Sequence, residues 1–384
     1  MPKSTLATAT PLRSQLDRLA DFEPTDLPVL SLYLDMRPDH NGRRTHEIFL
    51  RKVFPERSRS FHGDARKSFD RDVERIREYL AREVPASVHG LALFACSAAD
   101  GFFDACQLPA PFTHHSLFIG SVPHFYPLAR INDQYPAYAA LLVDTNSARL
   151  FVFRLGRRDA HAEVTNTKTR RSAAGGSSQA RYQRHSENFH LHHMKEVVAV
   201  LDRVVRAEAI DRIVVAADDT ARPVLMDQLP RHLAEKVIDV LHLALNTPEH
   251  TVLAETLDAL RQRDAESDAE RVAAMIDAWS AGGLAVTGPE ATLDALAKGQ
   301  VEELLITARP DGLQRINSLP PDSPPGPIEV DTTAPQAALD PDRIKLAGEL
   351  VARAQQNAAR TRFIEDPALL EGVGGVGAIL RFRI

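Results

Sequence analysis

Short apolar runs suited to buried strands alternate along this chain with stretches whose apolar residues recur at helical spacing. That alternation restricts the chain to an α/β fold. Leu27-Pro-Val-Leu-Ser-Leu-Tyr-Leu34 reads as a strand, and Phe69, Val73, Ile76 and Leu80 mark a helix within the charged stretch from Asp64 to Glu83. Val88 to Cys96 reads as a second buried strand, followed by aromatic, proline-punctuated sequence to about Tyr135-Pro136. A new pattern opens at Tyr138-Ala-Ala-Leu-Leu-Val-Asp, turns at Asp144-Thr-Asn-Ser147 and returns as Ala148-Arg-Leu-Phe-Val-Phe-Arg154, which predicts a hairpin. Polar sequence from Gly156 to Ala174 leads into a long helical pattern with Met194, Val197, Val198, Leu201, Val204 and Val205 on one face. Ile213 to Ala217 then predicts a strand, Val224 to Leu233 a helix, and a charged helix ends near Arg263. The last third predicts a helix from Asp268 to Ala281, a strand at Gly283–Gly288, a helix from Ala291 to Gly299 and a strand at Val301–Thr307. A proline-rich surface insertion covers 310–340, and a helix from Asp342 to Ala359 and two short strands end the chain.

At 384 residues the chain exceeds what one hydrophobic core supports. We expect three α/β domains with mixed sheets and packed helices, spanning 1–135, 136–263 and 264–384. No apolar run reaches the length of a membrane span, and the N-terminus lacks the apolar stretch of a secretion signal, so a cytoplasmic location is expected. Two cysteines, Cys96 and Cys106, imply no disulfide framework and read as buried thiols on neighbouring strands.

The net charge of −6 argues against a protein coated in basic residues, so a basic site must be local. One exists. Between Thr165 and Lys195 stand Lys168, Arg170, Arg171, Arg181, Arg184 and Lys195 against Glu187 alone, six positive charges less one, or +5. At the centre, Gly175-Gly176 is flanked by Ala173-Ala174 and Ser177-Ser178. Small residues let backbone enter a narrow space while arginines engage phosphates on either side. A solvated basic loop would have the same composition, so the pattern alone does not choose between them.

The run Gly175-Gly-Ser-Ser-Gln-Ala-Arg-Tyr-Gln-Arg184 resembles the Gly-Gly-Gln loop of the archaeal and eukaryotic peptide-chain release factors and their rescue paralogue Pelota. Ser178, Arg181, Tyr182 and Arg184 fall where that family places serine, arginine, an aromatic and a second arginine. The hairpin before the loop and the helix after it are similar to the family's middle domain. Gly283-Leu-Ala-Val-Thr-Gly and Ala295-Leu-Ala-Lys-Gly-Gln-Val-Glu-Glu-Leu-Leu-Ile-Thr307 resemble its C-terminal domain. The resemblance covers about 136–384 and is strongest to bacterial members, whose loop reads Gly-Gly-x-Ser-Gln-Ala-Arg-Tyr/Phe-Gln-Arg. It implies a translation factor acting in the ribosomal A site, with ribosomal RNA and peptidyl-tRNA as partners and no cofactor. The C-terminal domain of relatives meets the ribosomal stalk base or a GTPase, so a translational GTPase is a further candidate partner. In the superfamily a loop glutamine helps water attack the ester joining peptide to tRNA, while backbone amide stabilises the developing charge. By that resemblance Gln179 is the candidate catalytic residue, with Gly175 and Gly176 shaping the backbone. Lys168, Arg170, Arg171, Ser177, Ser178, Arg181, Tyr182 and Arg184 are the candidate RNA contacts.

The ungapped match puts Ser177 in the place of the release-factor glutamine, with Gln179 two residues later. Either the loop presents Gln179, or its tip is a plug rather than a hydrolytic device. The Asn-Ile-Lys-Ser motif with which these factors read stop codons is missing from the sequence, which turns the expectation from codon-specific termination to rescue of stalled ribosomes. The alternative is hibernation, in the manner of the superfamily member Balon, which occupies an A site without the hydrolytic loop.

Other signals have simpler readings. His185, His190, His192 and His193 follow the loop, and His190 and His193 share a helix face, but no third spaced ligand completes a metal site. Asp218-Asp219 stand after a strand, where helix capping explains them better than catalysis. Gly372-Val-Gly-Gly-Val-Gly377 has no following helix and reads as a turn before the last strand, not a nucleotide loop. Neither Ser177 nor Ser178 sits in a Gly-x-Ser-x-Gly elbow. Trp279, at helical spacing from Met275 and Ile276, is expected in a core.

Overall fold

A computed structural model describes residues 12–39, 42–165, 179–316, 329–332 and 340–383. The chain divides into two compact units, residues 1–134 with 267–384, and residues 135–266.

The first stretch runs α1 (Leu12–Ala20), β1 (Val29–Asp35), α2 (His46–Ser58), α3 (Gly63–Arg82), β2 (Gly90–Cys96), β3 (Phe102–Leu108), β4 (Ser116–Gly120) and α4 (Tyr126–Gln134). The smaller unit holds β5 (Tyr138–Val143), β6 (Ser147–Arg154), β7 (Arg157–Thr165), α5 (Gln179–Ala207), β8 (Ile213–Ala217), α6 (Ala221–Gln228), α7 (Arg231–Ala234) and β9 (Val237–Leu241). The chain passes back to the larger unit within α8 (Glu249–Ser280). It continues through β10 (Ala285–Thr287), α9 (Pro289–Ala297), β11 (Val301–Thr307), β12 (Glu329–Thr332), α10 (Pro341–Gln356), β13 (Arg360–Ile364), α11 (Ala368–Glu371) and β14 (Val376–Leu380).

Two sheets build the larger unit. The first, ordered β12-β4-β1-β2-β3, is antiparallel throughout. Strand alternation sends Leu30, Leu32 and Leu34 to a core with Phe49 and Val53 of α2 and Phe69, Val73 and Ile76 of α3. Tyr33 points to the opposite face and donates its hydroxyl to the His124 carbonyl at 2.5 Å. The second sheet, β10-β14-β11-β13, is mixed, with β11 parallel to β13 and antiparallel to β14. Val272 and Met275 of α8 pack into the core it shares with Ala285, Leu305 and Ile364. Gly374 and Gly375, at φ of 78° and 80°, make the turn into β14, as expected of that glycine run.

The smaller unit carries one mixed sheet, β7-β6-β5-β8-β9, with β5 parallel to β8 and antiparallel to β6. One face packs Leu141, Leu150, Val152 and Val215 against Met194, Val197 and Leu201 of α5. The other packs Leu142, Phe151 and Val214 against Val252 and Leu260 of α8. The predicted hairpin is present, closed by Asp144, whose Oδ1 accepts the backbone N–H groups of Asn146 and Ser147 at 2.7 Å each.

Several expectations change. The helices predicted to end near Arg263 and to restart at Asp268 are one 32-residue helix, α8, because Asp264-Ala-Glu-Ser267 contains neither glycine nor proline to stop it. Trp279 is 49 % exposed rather than buried: Met275 and Ile276 pack on the sheet, but the helix ends at Ser280 and its last turn is left uncovered. The polar stretch after Gly156 supplies an edge strand, β7. Within the proline-rich insertion, 329–332 forms β12, antiparallel to β4; the proline-free Glu-Val-Asp-Thr sequence allows this. Residues 317–328 and 333–339 lie outside the described residues. Asp218, rather than Asp219, caps α6, its Oδ1 accepting from the N–H groups of Thr220 and Ala221. Cys96 and Cys106 are buried on adjacent strands, and burial pushes the Cys106 thiol up to about 12.

Candidate functional site

Gly175, Gly176, Ser177, Ser178, Lys168, Arg170 and Arg171 lie outside the described residues. Gln179, Arg181, Tyr182 and Arg184 fall in the first turns of α5, and their side chains are likewise outside the described set. The elements on either side of this stretch are β7 and α5.

The outgoing strand is β7, hydrogen-bonded to β6 with Thr165 directly opposite Ser147. The returning element is α5, 29 residues and about 43 Å long at ~1.5 Å per residue. Among its described side chains, full burial begins at His193 and Met194. His193 lies 14 residues after Gln179 (193 − 179), about 21 Å further along the axis.

His193 is the hinge point of this arrangement. It is fully buried, and its ring donates a hydrogen bond to the backbone carbonyl of Ser147. The same carbonyl accepts the Asp144 N–H at 2.9 Å. Ser147 therefore pairs with the end of the outgoing strand, is capped through its own N–H by Asp144, and anchors the returning helix. Burial lowers the His193 pKa, opposed by the Ser147 bond and by Asp144 and Glu196, and aided by His190. The ring is thus a neutral donor at pH 7. Of the histidines flagged in the sequence, His193 is buried, His190 is half-buried and His192 is exposed, while the side chain of His185 lies outside the described set. Among the described residues no group of three or more His, Cys, Asp or Glu is placed to hold a metal ion.

The sequence places His193 in a group of histidines on the helix after the glycine pair, with nothing local to mark it as buried. Its hydrogen-bond partner lies 46 positions earlier (193 − 147), and only the sheet register brings the two together. The single local signal was the Asp-Thr-Asn-Ser turn, which marks the hairpin but not what docks on it.

A glycine-centred, basic stretch of sequence thus joins an edge strand to a long helix on a five-stranded mixed sheet. Residues 123–261 match the model of bacterial archaeo-eukaryotic release factor family 10, and the chain is a bacterial archaeo-eukaryotic release factor-like protein. It is 22% identical over 332 residues to peptide chain release factor subunit 1 of Methanopyrus kandleri, covering 83% of this chain and 80% of the relative. Among solved structures it is similar to the archaeal translation termination factor aRF1 (17% identity, 97% of each chain, TM-score 0.27). It is also similar to Saccharomyces cerevisiae Dom34, a translation termination-like factor (10% identity, 77% of this chain and 81% of that one, TM-score 0.39).

Proposed function

We propose that this protein binds the ribosome in a vacant A site and releases the nascent peptide from peptidyl-tRNA without reading a codon, as a cytoplasmic rescue factor. The observation that carries the reading is that the sequence Gly175-Gly-Ser-Ser-Gln-Ala-Arg-Tyr-Gln-Arg184 follows β7 and runs into the first turns of α5, within the segment matching the release-factor family. The net charge of +5 across Thr165–Lys195, in a chain of −6, suits a backbone entering a cleft walled by phosphates.

The position of Gln179 adds a physical reason. It opens α5, so backbone N–H groups of the first turn have no intrahelical acceptor and the positive end of the helix dipole lies there. Charge developing on an ester oxygen is stabilised by such donors, while the glutamine amide orients the attacking water. In this reading Gly175 and Gly176 shape the loop, Gln179 positions water, and Lys168, Arg170, Arg171, Ser177, Ser178, Arg181, Tyr182 and Arg184 contact ribosomal RNA. A translational GTPase is the candidate delivery partner.

Ser177, standing where the release factors place glutamine, favours a second reading in which the loop fills the A site of an idle ribosome without hydrolysis. Ribosomes carrying labelled peptidyl-tRNA and an empty A site separate the two. Release by the wild type that is lost in Gln179→Ala supports rescue; tight binding with no release supports hibernation; no binding removes both.

A further inference from the structure

The larger unit contains a cavity of about 350 Å³ that the release-factor reading does not use. Its size falls in the range of small-molecule sites. One stripe of α10 forms its floor: Lys345, Gly348, Glu349, Ala352, Arg353 and Gln356, spaced three, four, seven, eight and eleven residues from the first. Opposite lie Leu19 and Phe22 at the end of α1 and the loop from Gly120 to Phe125 that enters α4.

The middle of the stripe is small, which lets the wall close on the helix at Gly348 and leaves room at Ala352. A Cβ placed on Gly348 would come within 2.8 Å of His124 Nδ1, so this wall is already in contact, and Ala352 keeps the next turn low. The polar groups at the ends are tied down. Gln356 Nε2 donates to the Ala20 carbonyl at 2.7 Å, and Asn357 Nδ2 donates to the Leu296 carbonyl at 2.8 Å. Both amides therefore keep a fixed orientation.

Charge selects the ligand. Glu349 and Arg353 are 10% and 11% exposed and pair at 2.6 Å, so they neutralise each other. Burial holds His124 neutral, down to about 3. Lys345 also lines the cavity and forms no ion pair among the described residues. The lining thus holds two cations, Lys345 and Arg353, against one carboxylate, Glu349, beside the apolar surfaces of Leu19, Phe22 and Phe125. A polyphosphate would bring several negative charges against a lining whose charged side chains sum to one positive charge and include the Glu349 carboxylate. A flat apolar body with one carboxylate matches both features.

We propose that this cavity binds a small aromatic carboxylate, its charge at Lys345 and its ring against the Leu19–Phe22–Phe125 wall. Because the wall and floor come from opposite ends of the chain, ligand binding stabilises the folded unit by mass action.

The full-length protein would be tested by thermal shift and calorimetry with anthranilate, indole-3-acetate, the matching neutral amides, and nucleoside mono- and triphosphates. The carboxylates are expected to raise the melting temperature in a dose-dependent way and to bind about tenfold or more tightly than their amides, the scale of one charge-assisted hydrogen bond. Lys345→Gln should erase that preference while leaving the ligand-free melting temperature unchanged. Ala352→Leu should fill the space and abolish binding in a protein that still folds. Absence of binding by every carboxylate at millimolar concentration, binding that persists in both variants, or a preference for the phosphates would each overturn the proposal.

Discussion

Replacing His193 with phenylalanine keeps a flat ring in a fully buried position while deleting the N–H that the Ser147 carbonyl accepts. A neutral hydrogen bond contributes about 1 kcal/mol net, and leaving its acceptor buried without a partner usually adds to the loss. Here the Ser147 carbonyl keeps the Asp144 N–H at 2.9 Å, so no orphaned acceptor is created. Phenylalanine is also cheaper to bury than imidazole. The expected global cost is therefore about 1 kcal/mol or less, against roughly 2–5 kcal/mol for His193→Ala, which opens a cavity beside Met194 and Val197. The local effect is larger in consequence, because the bond joins the returning helix to the turn opposite the outgoing strand. Native-state amide exchange reads this directly. Protection at Ser147, Thr165 and the α5 amides around His193 should fall about fivefold for a 1 kcal/mol local loss, with the β8 amides unchanged. Protection within twofold of wild type at those amides would show that His193 does not fix the base of the loop.

Acid should destabilise the protein before its carboxylates are protonated. His115, His124 and His193 are held neutral by burial, with pKa values below the unfolded value of about 6.5. Groups of this sign contribute stability above pH ~6.5 that is lost as pH falls towards their folded values, about 3 for His124. Urea midpoints should drop between pH ~7 and ~4.5; a flat midpoint contradicts the burial of these rings. Gly375→Ala forces a side chain to φ +80° and against the Gly312 carbonyl, and should cost about 2 kcal/mol or more by urea unfolding. Gly372→Ala, with open space at its Cβ, should change the midpoint little. If Arg170 and Arg171 meet phosphates, replacing both with alanine should reduce the slope of log affinity against log salt on ribosomes by roughly 1.4–1.8.

The fold was legible where local chemistry and long-range pairing agree. Alternating leucines at 30, 32 and 34 announced β1, and Asp144-Thr-Asn-Ser147 between β-rich runs announced the hairpin. β7 escaped because its apolar positions are only Ala160, Ala162 and Val164 among charges, too weak a pattern until β6 supplies its ladder. β12 is four residues inside a proline-rich stretch and exists through its pairing with β4. The loop's chemistry was readable as motif and charge, whereas its anchor required the register that sets Ser147 beside Thr165 and beneath His193. The α10 cavity depends on Ala352, whose small side chain keeps the floor low, and on Gly348, whose missing side chain lets the His124 ring close against the helix.

The central claim is that the Gly175–Gly176 loop reaches the peptidyl transferase centre. Ala174→Cys can carry a tethered iron chelate with little competition, because Cys96 and Cys106 are buried. On ribosomes with peptidyl-tRNA and an empty A site, hydroxyl radicals from that position should cut ribosomal RNA around the peptidyl transferase centre, with the same chelate on Asp219→Cys cutting elsewhere. Cuts confined to the ribosome surface, or none despite stable binding, would contradict the account.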